Sequence, residues 1–440
     1  MKKLSFLITV VIAFVQTTVI AQTIDIYVAG YEKNSDGKSV AKVWKNGEEL
    51  YCLTSGVYSV ETNSIFVSGN DVYVAGDVWV EVGSSKVVAK IWKNGTELYS
   101  FVGNNGNNDA YAKDMYVSGN DVYIAGYEYT SGDKIGWVRK NNDILYNLTV
   151  NNNDPTVRSM CISGNDIYVC GRAKDSYGRY KATVWKNGSQ LFQAAPTSAP
   201  GNYWSEAYDI FVLENVVYLS GEVGSDATIW RYGFNGTMVE GLHTYSGTQR
   251  INSWARAHSF DATGTKPILA DIYTVVASGY DRIYKNNTIL YSFDSTYNNA
   301  KITSISVKKD DIYLSGYDKS GIAKIWKNGE ELFVLTDGTY NAEANTIFVV
   351  EHSGTGMEDI QINNNISLYP NPAKDELRIE CRVGACPDPT TEIEIYDVMG
   401  KQLQSKIVNL QSEITIDISH LANGMYYLKI NGQTGKFVKE

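Results

Sequence analysis

Proline, cysteine and histidine are scarce in this 440-residue chain, at eight, five and four residues. The histidines (His243, His258, His352, His420) are scattered with no zinc-ligand spacing. No Asp-x-Asp-x-Asp loop offers a calcium site, and neither a Gly-rich phosphate loop nor a nucleophile elbow is present. No metal or other cofactor is therefore expected. Basic runs are missing as well: 39 Lys+Arg stand against 49 Asp+Glu, an acidic balance that argues against nucleic acid or an anionic membrane as partner. Apart from the N-terminal segment, no apolar stretch approaches the ~20 residues needed to span a bilayer.

The exception is Met1 to Ala21. Lys2 and Lys3 precede an apolar run from Leu4 to Val15, and Val19 and Ala21 occupy the small-residue positions of a cleavage site. This reads as a secretory signal peptide, because the run is too short for a membrane anchor.

What the chain has in abundance is glycine and tyrosine, 38 and 32 residues, with turn signals every ten residues or so, which points to an all-β protein. One stretch, Ser64 to Tyr99, recurs in degraded copies up to about Asn365. Each copy reads as four short strands a to d, with Asn-Gly turns such as Asn94-Gly95 between c and d. The strand-c aromatics Trp44, Trp92, Trp137, Trp185, Trp230, Tyr284 and Trp326 are spaced 48, 45, 48, 45, 54 and 42 apart. Four strands per 40 to 50 residues indicate a β-propeller, and seven aromatics indicate seven blades. The glycines closing strand b give the same number: Gly30, Gly76, Gly126, Gly171, Gly221, Gly279 and Gly316. The first blade begins in strand b at Asp25, and its missing strand a appears at Asn345 to Val350, so the last segment should close the ring.

The expected organisation is a signal peptide at 1–21, the propeller at 22–350, a polar linker at 351–365 and a small β-sandwich at 366–440. The last module resembles the type A C-terminal sorting domain of Bacteroidetes proteins exported by the type IX secretion system. The matching residues are Leu368-Tyr369-Pro370-Asn371-Pro372, Ile395 to Lys401 with Gly400-Lys401, Leu421 to Ile430 with Gly424, and Gly435 to Lys439 with Lys436. The resemblance covers about the last sixth of the chain. It implies that the type IX machinery is a partner, that the protein crosses both membranes, and that the mature form is secreted or attached to the outer surface after removal of the domain. Cys381 to Cys386 departs from the usual pattern as an insertion. The propeller copies lack the sialidase Asp-box, the Trp-Asp dipeptide of WD40 repeats and a kelch Gly-Gly pair, so no catalytic residue is carried over.

Candidate sites follow from where the copies vary. The a-to-b and c-to-d turns are uniform, whereas the b-to-c and d-to-a loops of the opposite face vary, and irregular loops on a rigid frame are the usual place for binding residues. That face carries Tyr58, Tyr111, Tyr203, Trp204 and Trp254, rings able to stack on sugars or to cap the core beneath them. Arg256 and His258, near Glu206 and Asp209, form the one enzyme-like group, equally readable as a pair locking two blades. The acids after the strand-b glycine (Glu32, Asp77, Glu128, Glu222, Asp281, Asp318) suggest a solvated rim. Cys161 and Cys170 are equidistant from the Asn165-Asp166 turn, which suggests either a cross-strand disulfide or a packing pair. Cys381 and Cys386 are expected to pair, leaving Cys52 free. The chain thus reads as a non-catalytic binding propeller for an unknown glycan or protein ligand. The alternative is a polysaccharide-active lyase or hydrolase on the same face.

Overall fold

The computed structural model describes residues 23–439 except 83, 104–105, 107, 131–132, 150–152, 195–203, 214–215, 225, 234–237, 246–272, 279, 286–287, 298, 309–310, 353–365, 370–372, 382–390, 398–401, 409–412 and 431–432. Two compact units divide the chain, one running from Ile24 to Glu351 and the other including His352 to Glu440.

The first unit is a seven-bladed β-propeller. In blade two, Ser59–Ser68, Asp71–Val82, Ser84–Lys93 and Thr96–Phe101 pair antiparallel in that order. Blades three, four, five and seven repeat this four-stranded order. Blade six shows Tyr273–Ser278, Tyr280–Lys285 and Thr288–Phe293, and its expected strand a, Ala255 to Phe260, lies outside the described residues. In blade one the strand order is Ala342–His352, Thr23–Lys33, Ser39–Lys45, Glu48–Cys52, so the last strand of the propeller closes the first blade.

One device explains much of the sequence repeat. Asn46, Asn94, Asn141, Asn187 and Asn328 open the c-to-d turns at φ between 49° and 58°, the left-handed conformation that Asn tolerates. Each side-chain Oδ1 accepts the backbone N–H of a strand-b residue (Ile26, Val72, Val122, Ile167, Ile312) at 2.8–2.9 Å. Each Nδ2 donates to the aspartate one residue earlier (Asp25, Asp71, Asp121, Asp166, Asp311) at 2.7–3.2 Å. The same aspartates pair with the strand-c lysines Lys45, Lys93, Lys140, Lys186 and Lys327 at 2.7–2.8 Å. This Asp/Lys/Asn cluster ties strands b, c and d at the uniform face.

A second device is the pairing of a β-bulge with a glycine. Strand a shifts register at Thr62/Ser64, Ala112/Asp114, Val157/Ser159, Ala207/Asp209 and Ile302/Ser304, each time opposite the strand-b glycine. A Cβ on Gly30, Gly76, Gly126, Gly171, Gly221 or Gly316 would stand 1.9–2.4 Å from a strand-a carbonyl oxygen. These glycines are required by close backbone approach, not by positive φ.

Cores lie between blades. The strand-c tryptophans are at most 2 % exposed, and each inter-blade cluster takes one of them. Blade seven meets blade one through Tyr313, Ile325, Trp44, Ala344 and Ile347. The inner strands are further stitched by buried hydroxyls: Ser64 Oγ and Ser159 Oγ donate to the two oxygens of Asp114 at 2.8 and 2.9 Å, and Ser159 Oγ also reaches Asp209 at 2.8 Å.

Two expectations are corrected. Cys161 pairs with Tyr168 and Cys170 with Ser159, so the cysteines are not opposite each other, and both are free thiols. The hairpin turn is Gly164-Asn165, one residue earlier than the sequence suggested, which moves the register by two. The acids after the strand-b glycines do not form a solvated rim, since Asp77, Asp281, Asp318 and Glu222 are buried. Asp77 and Asp281 instead grip the next blade, accepting the N–H of Ala112 at 2.9 Å and of Ile302 at 2.7 Å.

In the second unit, Ile366–Tyr369, Glu376–Cys381 and Glu413–Asp417 form one sheet. Gln402–Val408, Thr391–Asp397, Gly424–Ile430 and Gln433–Lys439 form another, and Leu377, Ile379, Ile416, Ile393, Ile395, Leu428 and Phe437 share one core. This is a small β-sandwich. Cys386 lies outside the described residues.

Candidate functional site

In five blades the bulge adds one strand-a residue on the inner strand: Asn63, Lys113, Arg158, Tyr208 and Thr303. Most reach across a blade boundary. Asn63 donates to Ala112 O at 2.8 Å, Lys113 pairs with the fully buried Asp77 at 2.6 Å, and Arg158 pairs with Glu206 at 2.6 Å. Thr303 donates to Ala344 O, and Tyr208 donates to Glu222 within its own blade.

Above this layer, toward the loops of the variable face, blades three and four carry an aromatic and cationic cluster. Tyr111, at the start of strand a, stacks on Tyr127 with centroids 4.8 Å apart, and Tyr129 meets both edge-on at 6.2 Å. Tyr111 and Tyr127 are direct cross-strand partners, and Tyr129 follows two residues on. Lys113 Nζ lies 5.0 Å from the Tyr111 ring, and Lys134 Nζ lies 5.7 and 5.5 Å from Tyr127 and Tyr129. Lys134 donates to Thr156 Oγ1 at 3.1 Å, and Thr156 faces Arg172 across the hairpin of blade four. Arg172 stacks on Tyr180 at 4.6 Å and pairs with Glu206 at 3.0 Å, while Lys174 and Tyr180 converge on Asp154.

Burial raises the phenols of Tyr111 and Tyr127, so they are neutral hydrogen-bonding rings. Burial lowers the Lys134 ammonium; Arg172 and Arg158 add to the shift, and Asp154 and Glu206 oppose it. On the adjoining blade two, Glu61 faces solvent yet is set deep enough that burial raises its carboxyl, with Asp77 and Glu343 adding and Lys113 and Arg158 opposing. Tyr31, raised by burial, donates to Glu343. Groups from blades one to five thus converge on one region.

Of the residues expected from sequence, Tyr111 belongs to this cluster. Tyr58 packs against the core between blades one and two. Trp204 is 39 % exposed beside blade five, its carbonyl accepting Gly224 N–H at 2.9 Å. Tyr203, Trp254, Arg256 and His258 lie outside the described residues. Glu206, expected beside Arg256, is held by Arg158 and Arg172 and locks blade five to blade four. Tyr127, Tyr129, Lys134 and Arg172 were missed by sequence reasoning. The signal was available: the first position after the strand-b glycine varies most sharply between copies, as Tyr31, Asp77, Tyr127, Arg172 and Glu222. The b-to-c loops vary less than expected. Asn34, Asp175 and Asp318 begin equivalent loops, each accepting two backbone N–H groups two and four residues ahead at 2.8–3.2 Å. No group of His, Cys, Asp and Glu fit to hold a metal ion occurs among the described residues.

Residues 367–440 match the family described as the secretion system C-terminal sorting domain. The chain therefore carries the tail by which type IX substrates are recognised and exported to the cell surface or beyond. No curated protein matches the chain. Solved structures similar to it include the subtype N10 neuraminidase-like protein of A/little yellow-shouldered bat/Guatemala, at 7 % identity and TM-score 0.32, covering 86 % of this chain and 94 % of that one. Another is a mutant of Trypanosoma rangeli sialidase displaying trans-sialidase activity, at 9 % identity and TM-score 0.35, covering 93 % and 87 %. Similarity at this level assigns no activity to this chain.

Proposed function

We propose that the mature protein is a secreted or surface-attached, non-catalytic propeller that binds a glycan on its variable face. In this reading Met1 to Ala21 directs passage across the inner membrane as a signal peptide, and the sorting domain is removed on export. The observation that carries the binding reading is the tyrosine cluster of blade three. The half-buried Tyr111 and Tyr129, packed on the buried Tyr127, offer ring surface and hydroxyls beside Lys134. Aromatic rings stack on the apolar faces of sugars, and the adjacent polar groups bond the hydroxyls. Because the frame is rigid, little ordering entropy opposes binding.

The test is a glycan array with the mature chain, wild type beside Tyr129→Ala and Trp204→Ala. Retained fold by circular dichroism with binding lost in Tyr129→Ala supports a carbohydrate site there. Undiminished binding in both variants refutes the placement. The raised carboxyl of Glu61 beside Glu343 is the observation favouring a hydrolase instead. That reading requires reducing ends to accumulate when bound glycans are incubated with wild type but not with Glu61→Gln.

A further inference from the structure

Among the cations that surround the tyrosine cluster, most are already neutralised. Lys113 is held by Asp77, Arg158 by Glu206, and Lys174 by Asp154. Lys134 is the exception: its contacts are one neutral hydroxyl, Thr156 Oγ1, and two tyrosine rings. Two of its three N–H donors remain for a ligand. Arg172, which flanks the same threonine, is engaged by a single carboxylate oxygen, and its Nε–H has no acceptor. Glu206 is shared between Arg158 and Arg172, so one carboxylate serves two guanidinium groups. The variable-face end of blades three and four therefore holds a Lys134 ammonium with donors unspent next to tyrosine rings, and a guanidinium only partly neutralised beside it, in a chain whose net charge is −10.

From this we infer that Lys134 and Arg172 form an anion subsite, and that the glycan bound on the tyrosine cluster carries an acidic group, a carboxylate or a sulfate ester. The inference rests on the glycan reading and narrows it to a ligand class. Each part has a separate task. The half-buried Tyr129 and Tyr111, backed by the buried Tyr127, hold the ring of the sugar, and Lys134, over Tyr129, meets the acidic substituent. Charge-assisted hydrogen bonds in a partly desolvated site are about twice as strong as neutral ones. Burial makes Lys134 an unusually costly cation to keep charged, a cost that a bound anion relieves.

The experiment is calorimetric titration of the full mature chain with matched probes: oligogalacturonate, its methyl ester, dextran and dextran sulfate. The acidic member of a pair should bind about tenfold more tightly than its neutral partner, the order expected when one hydrogen bond to a charged group is lost. Lys134→Gln should abolish that preference, lowering affinity for the acidic member about tenfold more than for the neutral one, and Lys134→Arg should restore part of it. Preference for oligogalacturonate over its ester assigns a carboxylate, whereas preference for dextran sulfate alone assigns a sulfate. Equal affinity within both pairs, or an acid preference that survives Lys134→Gln, overturns the anion subsite but leaves the glycan reading standing. Absence of binding to every probe and to the array overturns both, and preferential binding of polyglutamate would transfer the site to acidic proteins.

Discussion

Gly171→Ala tests the coupling between the strand-b glycine and the strand-a bulge. The new Cβ would stand 1.9 Å from Thr156 O, 3.0 Å from Thr156 C and 3.1 Å from Val157 Cα. All three are backbone atoms, so no side chain can swing away. Ordinary contact needs about 3.4 Å, which demands a displacement of more than an ångström in a strand fixed on both sides. The strand-a residues after the bulge are held by Ser159 to Asp114 and Asp209, and by Met160 N–H to Asp114 at 2.9 Å. Overpacking of this kind costs about 1–3 kcal/mol, and with backbone as the obstacle we expect about 3. The sign is informative, because Gly→Ala at a position without positive φ or a clash would stabilise by ~0.4–1 kcal/mol through the unfolded chain. Gly164→Ala is the control. Nothing lies within 4 Å of its Cβ, but φ is +61°, so only the left-handed penalty of about 1 kcal/mol applies. Urea titration followed by tryptophan fluorescence gives both midpoints. A Gly171→Ala protein as stable as wild type, or less perturbed than Gly164→Ala, would refute the reasoning.

Asn94→Ala removes the bonds to Val72 N–H and Asp71 as well as a residue that tolerates φ of 49°, and should destabilise by about 2 kcal/mol in the same titration. Burial raises the thiols of Cys161 and Cys170, so iodoacetamide at pH 8 should label the exposed Cys52 in the native protein, with Cys161 and Cys170 labelled only in denaturant. Mass spectrometry showing a linked Cys161–Cys170 peptide would contradict the register. Burial raises the Glu61 carboxyl above its ordinary 4.5, so the folded state binds more protons than the unfolded one just above that pH. Stability from this group is present below pH 4.5 and is lost as pH rises through the raised value. Glu61→Gln should flatten that part of the pH–stability curve, and an unchanged slope would argue against the raised carboxyl.

The blade repeat was legible because it is written in residues with one physical reason each. Asn94 must accept positive φ, Trp92 fills the gap between blades, and Gly76 admits a carbonyl. Ring closure was legible for the same reason, as an orphan strand a at the far end. The bulge was not, since one additional residue in an apolar strand leaves the count of strands and turns unchanged. The cysteine register was misjudged for a separate reason: hairpin pairing was counted from Asn165-Asp166, while the chain turns at Gly164-Asn165. In the second unit, Gln402–Val408 and Gln433–Lys439 went unread, being edge-like strands of mixed polarity without β-branched runs. Tyr111 was visible as a loop aromatic, but Tyr127, Lys134 and Arg172 come from three strands of two blades, and only folding shows that they meet.

The bulge also explains how a repeat with so constant a skeleton can present different chemistry in each copy. A bulge re-aims one side chain while the ladder on either side of it is preserved. In this propeller the glycine opposite is fixed by sterics, whereas the bulged residue is free to be Asn63, Lys113, Arg158, Tyr208 or Thr303. The residue after the glycine is equally free, giving Asp77, Tyr127, Arg172 and Glu222 at one structural position. Two variable positions per blade account for the carboxylates Asp77 on blade two and Glu222 on blade five and for the cations Lys113, Arg158 and Arg172 on blades three and four. A substitution at either position should therefore alter recognition with little loss of stability only where its side chain has no partner on the next blade. Tyr129, just beyond these positions, satisfies that condition, whereas Asp77, Lys113, Arg158 and Lys134, the last bonded to Thr156 of blade four, do not.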